Sequence, residues 1–348
     1  MSDTLLARTP RPDRHPRWRI SPATGLAIGV VLAAAAFGLR QLTAGADFTL
    51  PNAIQDLLTL SYSVLIESIG FVVLGILLSV MVQIWIPASW IVRVLPRNVV
   101  LRRAALSLLG VFLPVCECGN VPLARGLIVK GFSVPESMTF LVAAPILNPI
   151  TIITTHQVFG FDDGILVARL LGGFAIANLI GWLFSRHPEP DRLLTDTFYA
   201  QCAAPDAARD HDHSASRWTQ SRQLFAREAS AVMPALIIGA TIAGLVQVVI
   251  PRETLVALGS NPLWSVLALM ALAFVISICS NIDAFFILPF VGIFMPGAIA
   301  AFLIFGPIID IKMLAMMRTT LTTRTLIQLT TIVALMSLAI GLVMNYVG

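Results

Sequence analysis

Two cysteines flank a glutamate at Cys116-Glu117-Cys118, and these residues have the clearest potential for chemistry in the chain. Sulfur donors one residue apart lie close together when the backbone is extended or turning, and thiolates prefer soft metals and thiophilic species. A third cysteine, Cys279, occupies a similar context, ICSNID against VCECGN. Three thiols around one cavity would bind trivalent arsenic or antimony, zinc or copper(I). The alternative is that buried cysteines only fill tight packing.

Charged residues lie inside the same apolar stretches. A carboxylate within a membrane is costly and by default marks a functional site, so Glu117, Asp283 and Asp310 are candidates to bind substrate, a proton or a cation. Glu67 also lies well inside an apolar run. For Lys312 we favour a side chain that extends to the cytoplasmic interface. Two residues apart on a helix, Asp310 and Lys312 would not face each other.

Neutral polar residues and helix breakers accompany these charges. Asn120, Asn148 and Asn281 are either substrate ligands or helix–helix hydrogen-bonding groups. Broken helices present free carbonyls and half-helix ends to a substrate, and the breaks are predicted at three prolines, Pro145, Pro149 and Pro307.

The motifs belong to an internal repeat. Pro145-Ile-Leu-Asn148 begins 27 residues after Cys118, and Pro307-Ile-Ile-Asp310 begins 28 residues after Cys279. Upstream, QIWIP at 83–87 matches QVVIP at 247–251. Matched breakers and polar residues in two hydrophobic halves point to a transporter substrate site.

Composition sets the class. The chain is 57% hydrophobic and 12% charged, against about 25% charged residues in a soluble domain, which predicts an all-α polytopic membrane protein. The net charge of +4 reports loop orientation rather than nucleic-acid binding. The sequence contains neither a Walker loop nor an HExxH motif, which argues against an enzyme. We expect no cofactor and no nucleic-acid partner. The partners are the lipid bilayer and a small-molecule or metalloid substrate, and the oligomeric state is left open.

Apolar runs predict the membrane spans at 24–42, 60–86, 133–157, 164–185, 229–250, 298–317 and 326–346. The segments 104–130 and 262–295 are either re-entrant hairpins or pairs of spans. Arg125 and Lys130, just past the first cysteine motif, favour a hairpin if both are cytoplasmic. Three spans plus one hairpin per repeat would make the two repeats inverted.

The predicted organisation has five parts. A basic cytoplasmic tail (1–23) precedes a first span (24–44), for which a cleaved signal peptide is the alternative. Repeat one covers 58–185 and repeat two covers 228–348. Between them, 186–227 is a cytoplasmic polar loop, interpreted as a solvated and poorly packed linker, with metal sensing by His211 and His213 as the alternative. Arginines near the start place the N-terminus in the cytoplasm of a bacterial inner-membrane protein.

The run VCECGNVPLARGLIVKGFSVPESMTFLVAAPILNPITI resembles the predicted permeases of the ArsP type, which include the YraQ-like proteins. The resemblance extends from about residue 61 to the C-terminus, without the 186–227 loop. It implies efflux of trivalent organoarsenicals, with Cys116, Cys118 and Cys279 as the implicated thiols. The chain has CECG where the arsenical exporters resemble CSCS, so Glu117 replaces a small polar residue.

The sequence therefore predicts a secondary transporter that moves a small thiophilic solute outward. One rival is a transporter of a divalent metal or another small solute, with structural cysteines. A second rival is a membrane thiol-redox protein that uses Cys116 and Cys118, although such proteins usually carry CxxC.

Overall fold

A computed structural model of the chain describes residues 52–86, 96, 98–112, 116–161, 163–203, 216–249 and 261–347. The predicted tail (1–23) and first span (24–44) lie outside these residues. Within the described ranges the helices are α1 (Asn52–Val80), α2 (Val99–Leu108), α3 (Glu117–Val129), α4 (Val134–Ala143), α5 (Pro149–Phe159), α6 (Ile165–Phe184), α7 (Asp196–Ala203), α8 (Arg217–Val249), α9 (Pro262–Ile276), α10 (Asp283–Ile287), α11 (Pro296–Phe305), α12 (Ile311–Met317) and α13 (Thr323–Val347).

Among the described residues, four segments are long and apolar enough to cross a membrane: Ile54–Trp85, Ile165–Phe184, Arg217–Val248 and Thr323–Val347. They coincide with the predicted spans 60–86, 164–185, 229–250 and 326–346. The chain is an all-α polytopic membrane protein, as its composition predicts.

The predicted spans 133–157 and 298–317 are each divided into two helices. The first is interrupted between α4 and α5, and the second between α11 and α12. A polar side chain caps the second helix at both interruptions: Asn148 Oδ1 accepts from Ile150 N at 2.9 Å, and Asp310 Oδ1 accepts from Met313 N at 2.6 Å. Asn and Asp are favoured caps because their oxygens satisfy amides that the first helical turn leaves unpaired.

The cysteine segments also lie at interruptions. Cys116 is the extended residue before α3, and Cys279 lies between α9 and α10. Ser277, the residue after α9, has a left-handed φ of 54°, the only positive φ of a non-glycine residue in the described chain. We call Cys116–Asn120 the first tip and Ser277–Asp283 the second tip. Since α3 packs against α12 and α10 against α5, each tip meets the broken helix of the other half.

Glycines permit this close assembly. The long helices α1 and α8 pack along each other and flank α3 and α12. A Cβ at Gly75 would collide with the backbone of Gly119 in the first tip, and a Cβ at Gly239 would lie 2.8 Å from the Cα of Lys312. Helix α1 therefore brings a glycine against the first tip, and α8 brings a glycine against the backbone of α12.

The interpretation of 186–227 as a poorly packed linker is wrong for the stretch 193–198. Leu193, Leu194 and Phe198 are buried, and α8 already begins at Arg217. Thr195 N donates to Thr320 O at 2.9 Å, and Thr322 N donates to Leu193 O at 3.0 Å. These three apolar side chains are thus packed inside the protein, which a solvated linker would not allow.

Candidate functional site

Glu117 lies at the centre of the region where the two halves meet, and its side chain is fully buried. Its Oε1 lies 3.0 Å from Lys312 Nζ. Its Oε2 accepts hydrogen bonds from Ser280 Oγ at 2.8 Å and from Ser280 N at 3.2 Å. A carboxylate of the first half is thus held by a lysine and a serine of the second half.

Lys312 is buried in the protein, so the predicted extension to the cytoplasmic interface is wrong. Besides Glu117, its Nζ donates to Ser277 O at 2.8 Å and lies 3.7 Å from Asp310 Oδ2. The expectation that Asp310 and Lys312 would not face each other is also wrong. Asp310 is the extended cap before α12 rather than a residue of the helix, so its side chain can turn back to Lys312.

The thiols gather around Glu117. The Sγ atoms of Cys116 and Cys279 and a carboxylate oxygen of Glu117 all lie within 4.8 Å of one another. The thiols of Cys279 and Cys118 lie 3.7 and 3.9 Å from the two carboxylate oxygens of Glu117. All three thiols are free and buried. The structure thus brings the first tip next to Cys279, and Glu117 rather than Cys118 is the third member of the donor group.

Glu67 adds another carboxylate. This half-buried residue of α1 lies against the backbone amide and thiol of Cys279, within the electrostatic field of Lys312 and Glu117. The region thus combines Glu67, Glu117 and Asp310 with one lysine.

Neutral polar groups connect the first broken helix with the second tip. Asn148 Nδ2 donates to Asn281 Oδ1 at 3.4 Å, so the first broken helix meets the second tip. Thr151 Oγ1 donates to Pro145 O at 3.1 Å and lies 3.4 Å from both Ser280 O and Asn281 Oδ1. Pro149 is the first residue of α5, a position where a missing amide proton is tolerated, and Pro307 lies in the second interruption.

Asp283 has a charged partner of its own. Arg169 of α6 binds it with two hydrogen bonds, NH1 to Oδ1 at 3.0 Å and NH2 to Oδ2 at 2.6 Å, and a third arginine bond reaches Thr155 Oγ1 at 2.7 Å. Both charged side chains are buried. Each tip therefore carries one carboxylate that pairs with a cation of the other half: Glu117 with Lys312, and Asp283 with Arg169.

Two candidate residues carry polar atoms without a hydrogen-bond partner among the described residues. They are Asn120, at both side-chain atoms, and Asp310, at Oδ2. Both side chains are fully buried. Since buried polar groups are normally hydrogen-bonded, these atoms leave binding capacity beside the charged cluster.

A second charged cluster ties the two halves to the connecting segment. Arg125 Nε donates to Glu228 Oε2 at 2.9 Å, and the guanidinium lies 4.2 Å from the centre of the Phe198 ring. Its NH1 donates to Thr320 Oγ1 at 3.1 Å. Arg125 is therefore a buried structural cation and not the loop charge that the hairpin prediction for 104–130 assumed.

Sequence reasoning missed Arg169 and Ser280 and undervalued Lys312. Arg169 is the only charged residue in the apolar helix Ile165–Phe184, and such residues in a span mark functional or structural partners. Lys312 follows the PIID motif by two residues and belongs to the same signal. For Ser280, next to Cys279, we find no comparable signal.

Comparison with known proteins supports a transport role. A family model described as a predicted permease matches residues 53–346. The UPF0718 protein YcgR of Bacillus subtilis is 34% identical over 297 residues, which cover 84% of this chain and 97% of that protein. A putative two-component membrane permease complex subunit of Streptococcus mutans is 30% identical, over 80% of this chain and 91% of that protein. The UPF0718 protein YraQ of Escherichia coli is 31% identical over 33% of this chain and 32% of its own length. No solved structure matches significantly.

Proposed function

The chain belongs to the ArsP_1 family of predicted permeases, and on this premise we propose that it exports a small thiophilic solute, either a trivalent organoarsenical or a soft metal ion. The observation that carries the proposal is the donor group of Cys116, Glu117 and Cys279, gathered within 4.8 Å in the protein interior. Soft thiolates bind such species and discriminate against hard cations.

The placement of the group supports a transport site rather than packing. Transporters commonly hold their substrate where discontinuous helices of two repeats meet. Here the first tip lies against α12 and the second tip against α5, so a solute at the thiols would contact both halves. We propose that 58–185 and 228–348 are inverted repeats, which move relative to each other during transport.

Orientation follows from the arginines of the sequence. We propose a bacterial inner-membrane protein with a cytoplasmic N-terminus, because residues 8–19 are rich in arginine. Cysteine accessibility labelling at Asp163, which follows α5, and at Arg192 in the connecting segment would test this orientation. Labelling of both positions from the same side of the membrane would contradict it.

The test of the substrate is a sensitivity panel in cells that lack the chain, express it or express Cys116→Ser/Cys279→Ser. We expect the intact chain alone to raise tolerance to trivalent arsenicals or to soft metal ions. Equal protection by the double variant, at matched membrane abundance, would show that the thiols do not bind the solute. Protection against hard divalent cations alone would favour the rival with structural cysteines.

A second subunit is a further part of the proposal. The relative from Streptococcus mutans is named as a subunit of a two-component membrane permease complex. We propose that this chain also works with a partner subunit. Affinity purification from its native membrane should recover one stoichiometric membrane protein, and recovery of the chain alone, still active in vesicles, would contradict this.

A further inference from the structure

Glu117 participates in two arrangements that exclude each other. Its Oε1 lies 3.0 Å from the Lys312 ammonium, and one of its oxygens also belongs to the donor group with Cys116 and Cys279. Zinc lies about 2.0–2.3 Å from such donors. A metal cation bound there would face the ammonium at short range in a buried region, where like charges repel strongly.

Lys312 has another partner within reach. Asp310 Oδ2 is 3.7 Å from its Nζ and accepts no hydrogen bond from any described residue. The amine also bonds to the carbonyl of Ser277 at 2.8 Å, which it can keep while it turns. The lysine can therefore leave Glu117 and still neutralise a carboxylate.

The charges of the region favour a cation. Glu67, Glu117 and Asp310 face one ammonium, that of Lys312. Asp283 does not change this balance, because Arg169 neutralises it. An excess of buried carboxylates attracts a positive solute and repels an anionic one.

We infer that Lys312 is a tethered cation that occupies the place of the substrate, and that a soft metal cation displaces it from Glu117 towards Asp310. The cation binds Glu117 and the sulfurs of Cys116 and Cys279, whose thiol protons leave to water. The inference rests on the proposed function of the same donor group, and it selects a soft metal cation over a neutral arsenical as the substrate class.

Cadmium binding to the purified full chain in detergent tests the inference. Competition with a chromophoric chelator gives the dissociation constant. Lys312→Met removes the competing ammonium, and we expect it to bind Cd²⁺ at least about tenfold more tightly than the unaltered chain. Lys312→Arg keeps the charge and is the matched control, with affinity close to that of the unaltered chain.

Asp310→Asn tests the destination of the lysine. Without the second carboxylate, Lys312 loses its alternative partner, and Cd²⁺ binding should weaken by about tenfold. The affinity should thus move in opposite directions in the two variants. A merely structural role of the two residues would weaken binding in both. The rise in melting temperature on adding Cd²⁺ should rank the variants in the same order as their Cd²⁺ affinities, and it shows that each variant is folded.

The outcomes separate the inference from the proposed function. If Cys116→Ser/Cys279→Ser abolishes Cd²⁺ binding while Lys312→Met binds no more tightly and Asp310→Asn no more weakly, the tethered-cation role is overturned and the thiol site stands. Failure of the unaltered chain to bind Cd²⁺ also overturns the inference. Binding of phenylarsine oxide through the thiols would then still support the proposed function. If Cys116→Ser/Cys279→Ser still bound both Cd²⁺ and phenylarsine oxide, the thiol site itself would be rejected.

Discussion

The carboxylate of Glu117 and the ammonium of Lys312 lie 3.0 Å apart, with neither side chain exposed to solvent. They belong to different halves of the chain, and their helices α3 and α12 pack against each other. Two charges in an apolar interior are stable only as a hydrogen-bonded pair, because each alone carries a large desolvation cost. The pair therefore couples the packing of the halves to the chemistry of the thiol group.

Removing one member of this pair should destabilise the protein more than removing both. Glu117→Gln leaves Lys312 without its main counter-ion and should lower the free energy of unfolding by about 3–5 kcal/mol. Glu117→Gln/Lys312→Met should recover much of this loss. Thermal unfolding of the unaltered chain, Glu117→Gln, Lys312→Met and the double variant in one detergent gives the coupling free energy between the two side chains. Additive losses would show that the two side chains do not interact.

The buried pair of Arg169 and Asp283 should also be structurally essential. Arg169→Met leaves a buried aspartate uncompensated, and we expect a loss of about 3–5 kcal/mol. Arg192 and Glu189 form an exposed pair, in which the side chains retain 59% and 49% of their accessible surface, and provide the control. Arg192→Met should change stability by about 0–1 kcal/mol. Similar melting temperatures for the two arginine variants would contradict the assignment.

Phe198 tests the packing of the connecting segment. Its ring is buried beneath the Arg125 guanidinium, so Phe198→Ala should cost about 3–5 kcal/mol and open α7 to proteolysis. Its neighbour Tyr199 is 46% exposed and is the matched control, since Tyr199→Ala removes little buried surface. Equal rates of limited proteolysis in the two variants would restore the interpretation of this segment as a loose linker.

Gly75 should not tolerate a side chain. A Cβ there would collide with Gly119, so Gly75→Val would push the first tip away from α1. We expect little folded protein in the membrane and no transport. At Gly70, on the same helix, no neighbouring atom of the described residues lies within 4 Å of the place a Cβ would take, and Gly70→Val should leave expression unchanged. Comparable abundance and activity of both variants would show that α1 and α3 do not approach this closely.

Asn148 should serve the site through its cap and its contact with Asn281. Asn148→Asp preserves the cap oxygen, whereas Asn148→Ala removes it and should cost about 1 kcal/mol. Loss of the oriented amide should also weaken substrate affinity in Asn148→Ala. Uptake into everted vesicles over a range of substrate concentrations separates KM from maximal rate. Unchanged KM in the alanine variant would assign Asn148 to packing alone.

The spans and their interruptions were predictable because their signals are local. Runs of about twenty apolar residues identify helices that can cross a bilayer. Prolines beside Asn148 and Asp310 identify the breaks, since proline and a capping side chain act within one helical turn. The proximity of Cys116 and Cys279 was predictable because the two cysteine motifs recur in matched contexts of the sequence.

The partners of the buried cations were not predictable in the same way. Whether Lys312 reaches water or Glu117 depends on which helix of the other half packs against α12, and a local pattern does not contain that information. The burial of Phe198 in a polar segment depends likewise on Arg125, which is distant in sequence. Arg169 is different, because an arginine within an apolar helix signals a buried partner without naming it.

The two ion pairs at the tips are chemically unlike. Arg169 holds Asp283 with a two-pronged guanidinium that stays charged, while Lys312 offers Glu117 a single point charge beside competing ligands. A solute that took Glu117, as we propose, would break the ion pair between α3 and α12 and leave the one between α10 and α6 intact. Movement of one half against the other would then turn about Arg169 and Asp283 as its pivot, and the opening would begin at the thiols.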